Sequence, residues 1–311
     1  MPERAKVAVL GIYNTDLAFE AQRLPAVGET LLGDAFRMGP GGKGSNQVIA
    51  AAKAGANAAF ITRIGADPFG EIAQRTWRAA GVDTGAVIID PERSTGAAFI
   101  FVSTQTGDNA IIVESGAARV LSAADAEGAR ATIAAADVFI TQLEQPLEAA
   151  TRGLEIARAA GVTTILNPAP AAELSDAMLA TADYITPNES EAAHLTGRPV
   201  DSVEEARVAA DALLARGVGA AVLTLGSRGA LYHTAGTSEL VPALTVETVR
   251  DTTGAGDAFN GAFATALGEG RSPLEAVRFA AVAASLSVTR SGAAGALATR
   301  DEIDARLTDL S

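Results

Sequence analysis

Short apolar runs alternate with longer amphipathic stretches along most of the chain. Val7–Leu10, Ala59–Ile61, Val138–Ile140, Thr164–Leu166, Tyr184–Thr186 and Ala221–Leu225 read as buried strands, because each is a brief apolar block bounded by turn residues. Between them the sequence predicts helices with recognisable starts. Asp67-Pro68 opens one that runs to Gly81, and Ser202-Val-Glu-Glu205 forms a capping box for one ending near Gly217. Ser272-Pro-Leu-Glu275 caps a long Ala-rich helix, and Thr299-Arg-Asp-Glu302 caps the last. This alternation predicts an α/β fold: a three-layer structure with a mainly parallel central sheet flanked by helices, and ligands at the C-terminal ends of its strands.

Two segments depart from the pattern. Residues 15–38 and roughly 94–115 carry strand-like runs, such as Ala97–Val102 and Ala110–Val113, with no helix between them. The turn Gln105-Thr-Gly-Asp-Asn109 reads as a hairpin. Strands outside a βαβ unit must pack elsewhere, so a small β-sheet lid beside the main sheet is expected. There is no repeat or low-complexity linker, and residues 1–311 read as a single α/β domain carrying that lid.

Composition narrows the partners. A net charge of −13 argues against nucleic acid and against an anionic membrane, since both reward clustered Lys and Arg. With no cysteine there is no disulfide, thiolate metal site or thiol nucleophile. No apolar run reaches the roughly 18 residues of a membrane span. The first residues run straight into the strand at Val7, without the features of a signal peptide. A cytoplasmic protein is the simplest inference.

The candidate chemistry lies in turns before helices. Asp251-Thr-Thr-Gly-Ala-Gly-Asp-Ala-Phe-Asn260 sets two glycines and an acid where an apolar helix, Ala258 to Leu267, begins. Unpaired N–H groups and the positive dipole end bind anions there, and glycine lets a ligand approach the bare backbone. Asp257 is then either a dipole-complementing acid or a base that takes a proton from a hydroxyl attacking a phosphate. Gly39-Pro-Gly-Gly-Lys-Gly44 matches G-x-G-x-x-G in form only, because it does not directly follow the first strand. It also fails the Walker A pattern, with Arg37 in place of the first glycine and Gly44 after Lys43. What remains is a glycine turn presenting Lys43, Ser45 and Asn46 ahead of a helix over Gln47–Ala54.

Asn14 and Asp16, just past the first strand, either fork onto vicinal sugar hydroxyls or form an Asx turn. Asn188 and Glu191 make a capping-box analogue, or stand near Mg²⁺ through its waters. Thr224-Leu-Gly-Ser-Arg-Gly229 borders a nucleotide or makes a hairpin turn. Trp77 reads as packing, and the Arg300–Arg306 charges as a solvated helix face.

Together these motifs resemble those of the ribokinase-like (pfkB-type) carbohydrate kinases, over essentially the whole chain. Asn14-Thr-Asp16 is similar to the family's early sugar-binding pair, Gly41–Asn46 to its first signature and Asp251–Gly261 to its second. Gln142-Leu-Glu144, Asn167-Pro-Ala-Pro170, Thr186–Glu191 and Thr224–Gly229 follow at similar order and spacing. The resemblance implies transfer of the γ-phosphoryl group of ATP to a pentose hydroxyl, D-ribose first among the acceptors. Asp257 would be the base, with the N–H groups of Gly254, Ala255 and Gly256 as anion hole. Asn14, Asp16, Gly42, Lys43, Asn46 and Glu144 would hold the sugar. Asn188, Thr224, Gly226, Ser227, Gly229 and Gly256 would border ATP, with Glu191 near Mg²⁺. Asp251, Thr253, Ser287, Arg290 and Gly292 would form a K⁺ loop, mostly through carbonyls.

Three residues depart from the family pattern. Ala296 stands where a cation-binding Ser is usual, Ala118 where an Asn follows the lid hairpin, and Tyr13 where a smaller aliphatic residue adjoins the sugar pair. Deoxyribose, fructose or a nucleoside such as adenosine are therefore alternative acceptors. A sugar-binding regulator without catalysis is the reading from another class. Exposed lid edges predict a homodimer.

Overall fold

The structure is a computed structural model that describes residues 4–309; residues 1–3, read above as leading into the first strand, and residues 310–311 lie outside the described residues. The strands are β1 (Lys6–Leu10), β2 (Asn14–Ala21), β3 (Ala35–Gly41), β4 (Asn57–Gly65), β5 (Asp83–Asp90), β6 (Thr95–Ser103), β7 (Asn109–Gly116), β8 (Val138–Thr141), β9 (Thr163–Leu166), β10 (Tyr184–Ile185), β11 (Ala220–Thr224), β12 (Ala230–His233) and β13 (Ser238–Val241). The helices are α1 (Lys43–Lys53), α2 (Pro68–Ala80), α3 (Ala123–Gly128), α4 (Arg130–Ala134), α5 (Leu147–Ala159), α6 (Asp176–Leu179), α7 (Glu189–Thr196), α8 (Val203–Ala215), α9 (Ala255–Gly268), α10 (Pro273–Ser287) and α11 (Arg300–Thr308).

Among the described residues, nine strands form the central sheet in the order β13-β12-β11-β10-β9-β8-β1-β4-β5. All pairs from β11 to β5 are parallel, and only β11–β12 and β12–β13 are antiparallel. Buried clusters cover both faces, one built on α1, α9 and α10, the other on α5 and α8. The α/β three-layer expectation is therefore met. From β1 the chain moves to β4 on one side and later to β8 on the other, and at such a switch point a crevice opens at the strand ends.

The second sheet has the order β3-β2-β6-β7 and contains the segments that lacked helices. Its strands lie between Asn14 and Gly41 and between Thr95 and Gly116. The capped helices form as expected. Asp67 Oδ1 accepts the Gly70 N–H at 2.8 Å, and α2 stops at Gly81 with φ 75°. Ser202, Ser272 and Thr299 each form a capping box.

Two helices begin earlier than expected, and both corrections matter. Helix α1 starts at Lys43 rather than Gln47, and α9 at Ala255 rather than Ala258. Gly42 (φ 86°) and Gly254 (φ 76°) are the N-caps, and their left-handed backbone turns the chain straight into the helix. The two helices then pack at bare-backbone range. A Cβ on Gly261 of α9 would lie 2.5 Å from both the Ala50 Cβ and the Gln47 carbonyl of α1, and one on Gly44 would lie 2.7 Å from the Gly11 Cα.

Trp77 is fully buried, edge-on to Tyr13 (centroids 5.4 Å) and Phe60 (5.0 Å), with its indole N–H on Ser45 Oγ at 2.9 Å. Arg300 departs from a simple solvated face. It lies over the Phe279 ring and pairs with Glu269 and Asp304, which ties α11 to α10.

Candidate active site

Asp257 sits in the first turn of α9, 7% exposed. Each carboxylate oxygen accepts one amide N–H: Oδ2 from Asn46 Nδ2 and Oδ1 from Gln47 Nε2, both at 3.0 Å. Burial raises its pKa above the ordinary aspartate value, against the attraction of Lys43 and the two amide hydrogen bonds. The turn before it is open. The Gly254 and Gly256 N–H groups make no hydrogen bond among the described residues, while the Ala255 N–H reaches the Thr252 carbonyl at 3.2 Å. A Cβ on Gly256 would meet nothing within 4 Å.

A cavity of about 160 Å³ lies directly above this turn, lined by Lys43, Glu191, Thr224, Gly254, Gly256 and Asp257 among others. Thus α1, α7, α9 and the end of β11 meet at one point. Burial pushes the Lys43 ammonium down, and the combined attraction of Asp257, Glu144 and Glu191 outweighs it, leaving Lys43 above its ordinary value. A buried cation facing several carboxylates is a site built for more negative charge only if a further cation arrives with it.

On one side lies a polar wall. The Lys43 backbone N–H donates to Glu144 Oε2 at 2.7 Å, so Glu144, which follows β8, caps α1 from another element. Burial pushes Glu144 up to about 6, against the pull of Lys43, and it pushes Asp16 up to about 6 as well. Asn14 and Asn46 are 4% and 5% exposed, yet their Oδ1 atoms have no partner among the described residues. Gly42 holds this wall against the Ile12 carbonyl, where a Cβ would come within 2.7 Å. Buried acceptors without donors are costly in a finished core and suit a ligand rich in hydroxyl groups.

Tyr13 is not part of the wall. Its ring is fully buried and its hydroxyl meets Thr15 Oγ1 at 3.0 Å, so the side chain beside the sugar pair faces the core. Ala118 is also buried, in a short turn after β7.

On the other side a cavity of about 820 Å³ runs along the ends of β11 and β12. Asn188, Thr224, Gly226, Ser227, Gly229 and Gly256 line its polar edge, and Val246, Val249, Phe259 and Val288 supply apolar walls. Its size and mixed lining suit a nucleotide. The Thr224–Gly229 turn also joins antiparallel β11 and β12, so the hairpin and the cavity edge are the same feature.

Asn188 and Glu191 likewise serve as a cap and as a wall. Asn188 Oδ1 accepts the Glu191 N–H, and Glu191 Oε2 accepts the Asn188 N–H, both at 2.9 Å. Glu191 is 7% exposed, raised by burial, and its Oε1 makes no hydrogen bond among the described residues. No group of three or more His, Asp or Glu is placed to hold a metal ion directly among the described residues. That donor set fits Mg²⁺ held through water and nucleotide oxygens.

The remaining set is only partly joined. Asp251 bridges two loops, accepting the Thr253 N–H and the Gly292 N–H at 2.9 Å each. Ser287 donates to the Ala284 carbonyl, and Arg290 turns away to Glu302. Ala296 is fully buried and offers no side-chain oxygen. Of this set, Asp251 alone joins the two loops through its side chain among the described residues.

Sequence reasoning missed Gln47, Asn167, Thr186 and Asn260 as site residues. Asn167 Oδ1 accepts a second hydrogen bond from Gln47, and Asn260 Nδ2 donates to the Gly256 carbonyl. Gln47 and Asn260 adjoin named motif residues on α1 and α9, and a polar side chain at a buried helical position is the signal that could have found them.

A model of the pfkB family of carbohydrate kinases matches residues 4–300. The chain is 40% identical over 299 residues to a ribokinase of Haemophilus influenzae, covering 96% of this chain and 97% of that protein. It is 37% identical over 287 residues to a deoxyribokinase of Salmonella typhi, covering 92% and 93% respectively. A structure of Arabidopsis thaliana ribokinase complexed with ribose and ATP matches with a TM-score of 0.92 at 31% identity, over 98% of this chain and 99% of that one.

Proposed function

The chain belongs to the pfkB family of carbohydrate kinases, and from that premise we propose that it transfers the γ-phosphoryl group of ATP to the O5 hydroxyl of D-ribose. One observation carries the reading: Asp257 stands where the nucleotide-sized cavity and the hydroxyl-accepting wall meet, beside free N–H groups at a helix start.

Asn14, Asp16, Asn46 and Glu144 accept hydrogen bonds from the sugar and hold its primary hydroxyl at Asp257. Asp257 takes the proton of that hydroxyl as the bond to phosphorus forms. Its raised pKa brings it nearer the working pH, which favours a general base. The Gly254 and Gly256 N–H groups receive charge on the transferred group, and Lys43 supplies a positive charge opposite. Because the transition state is loose, this positioning and neutralisation carry most of the rate. Mg²⁺ beside Glu191 would neutralise the phosphate oxygens of ATP. A monovalent cation under the Asp251 bridge would stiffen the loop that precedes the anion hole.

The small sheet acts as a lid in this reading, with Asp16 on the face toward the site. Its other face carries Phe19, Phe36, Met38 and Ile112, which are 40%, 55%, 49% and 70% exposed. Phe19 and Phe36 are directly cross-strand with rings 4.8 Å apart, and a second copy of the chain would cover this surface in a homodimer. As an ATP-using enzyme it would work in the cytoplasm.

Deoxyribose is the second reading, motivated by the deoxyribokinase relative. Comparing kcat/KM for ribose, deoxyribose, fructose and adenosine, with the phosphorylated position read by ³¹P NMR, tests both. Ribose at least about tenfold ahead, with phosphate on O5, supports the proposal. A preference for another acceptor overturns it.

A further inference from the structure

Asp257 lies in a circuit of buried hydrogen bonds that leaves the carboxylate and returns to the residue before it. Gln47 Nε2 donates to Asp257 Oδ1 and to Asn167 Oδ1, each at 3.0 Å. Asn167 Nδ2 donates to the Thr186 carbonyl at 3.0 Å, and Thr186 Oγ1 donates to Asn260 Oδ1 at 2.6 Å. Asn260 Nδ2 then donates to the Gly256 carbonyl at 2.8 Å, which closes the path. Every side chain in it is buried.

The orientation of the Gln47 amide is not free. A carboxylate only accepts, so Gln47 must turn its nitrogen to Asp257. Its oxygen then faces the other way and needs a donor, which Gln142 Nε2 provides at 2.5 Å. Gln142 is itself fully buried after β8. The terminal torsion of an aspartate is otherwise broad, and one fixed donor on each oxygen removes that freedom. Neutral amide donors also leave the carboxylate basic, whereas an arginine at the same place would neutralise its charge and lower its pKa much further.

We propose that Gln47 is a positioning residue for phosphoryl transfer: locked by Gln142, it aims the Asp257 carboxylate at the acceptor hydroxyl and ties it to the anion-binding turn at Gly256. The proposal rests on Asp257 as the base. Its consequence is a kinetic signature that simple packing does not produce. Losing the Gln47 donor destabilises the ionised carboxylate, so the base titrates at higher pH and activity is lost earlier on acidification.

The test is the pH profile of kcat for Gln47→Met, which keeps length and volume but removes the donor. At pH 7.5 kcat is expected to fall about tenfold, with sugar KM within about twofold and the acid limb shifted up by about one pH unit. Gln142→Met is expected to move the limb the same way by less, and it carries the test if Gln47→Met does not fold. An acid limb that stays in place in the folded variant overturns the proposal, even if melting temperature falls. Asp257→Asn run alongside separates the two readings. Near-normal turnover there overturns the base itself, whereas lost turnover with an unmoved Gln47→Met limb overturns only the role of Gln47.

Discussion

Replacing Asp257 with Asn is expected to stop proton transfer while leaving the fold and sugar binding nearly intact, and the structure says why. The new amide has the shape of the carboxylate but presents a donor, and both neighbours of Asp257 are donors. Gln47 cannot turn over, because its Nε2 also serves Asn167 Oδ1, and Asn167 is held in turn by the Thr186 carbonyl. Asn46 can, since its Oδ1 is buried without a partner among the described residues. A rotated Asn46 amide would accept from the introduced NH₂ group, so no donor is left facing a donor. The stability change should then stay below about 1 kcal/mol, well under the cost of a buried unsatisfied group. Sugar hydroxyls both donate and accept, so sugar affinity should change no more than about threefold. The catalytic loss should be about 10²–10⁴-fold, equivalent to about 3–5 kcal/mol. Coupled ADP release at saturating sugar and ATP measures kcat, and calorimetry on the same samples measures binding. Turnover within tenfold of wild type refutes the base assignment. Sugar affinity that collapses along with kcat refutes the argument that Asn46 adapts.

Further expectations concern acidity, cations and assembly. Asp16 and Glu144 are raised to about 6 by burial, so as pH falls through that value both gain protons, and in the proposed role each would lose a charged acceptor and turn one oxygen into a donor toward the sugar. Sugar KM should be level above pH 7 and rise about tenfold or more by pH 5, and a flat profile would refute their role. Exchanging K⁺ for tetramethylammonium should lower kcat about fivefold, about 1 kcal/mol of loop organisation; an unchanged kcat would remove the cation from the Asp251 bridge. Light scattering at micromolar concentration should give twice the chain mass, and Phe36→Glu should halve it. A wild-type monomer would show that the apolar face of the small sheet serves otherwise.

The layers were legible because strand runs and caps are local signals. Asp67, Ser202, Ser272 and Thr299 each cap the helix that their spacing announces. The starts of α1 and α9 were not, since Gly42 and Gly254 offer no side chain of their own to cap the helix. For α1 the missing partner is Glu144, about a hundred residues away. The buried amides were hidden for the same reason: Gln47, Asn167 and Asn260 meet only when three elements converge. Tyr13 shows the opposite failure. Its place in the sequence suggested a substrate contact, but in the connection between β1 and β2 its ring packs edge-on against the distant Trp77 and its hydroxyl on Thr15.

The contact of Gly261 with Ala50, and of Gly44 with Gly11, bears on how this protein could acquire a different acceptor. Helices α1 and α9 touch where even one added methyl has no room, so they form a chassis that tolerates almost no redesign. The small sheet offers more latitude, at Asp16 and at Ala98 paired with it. Those positions can change the pocket's outline while Asp257 and the glycine turn at 254–256 keep their spacing.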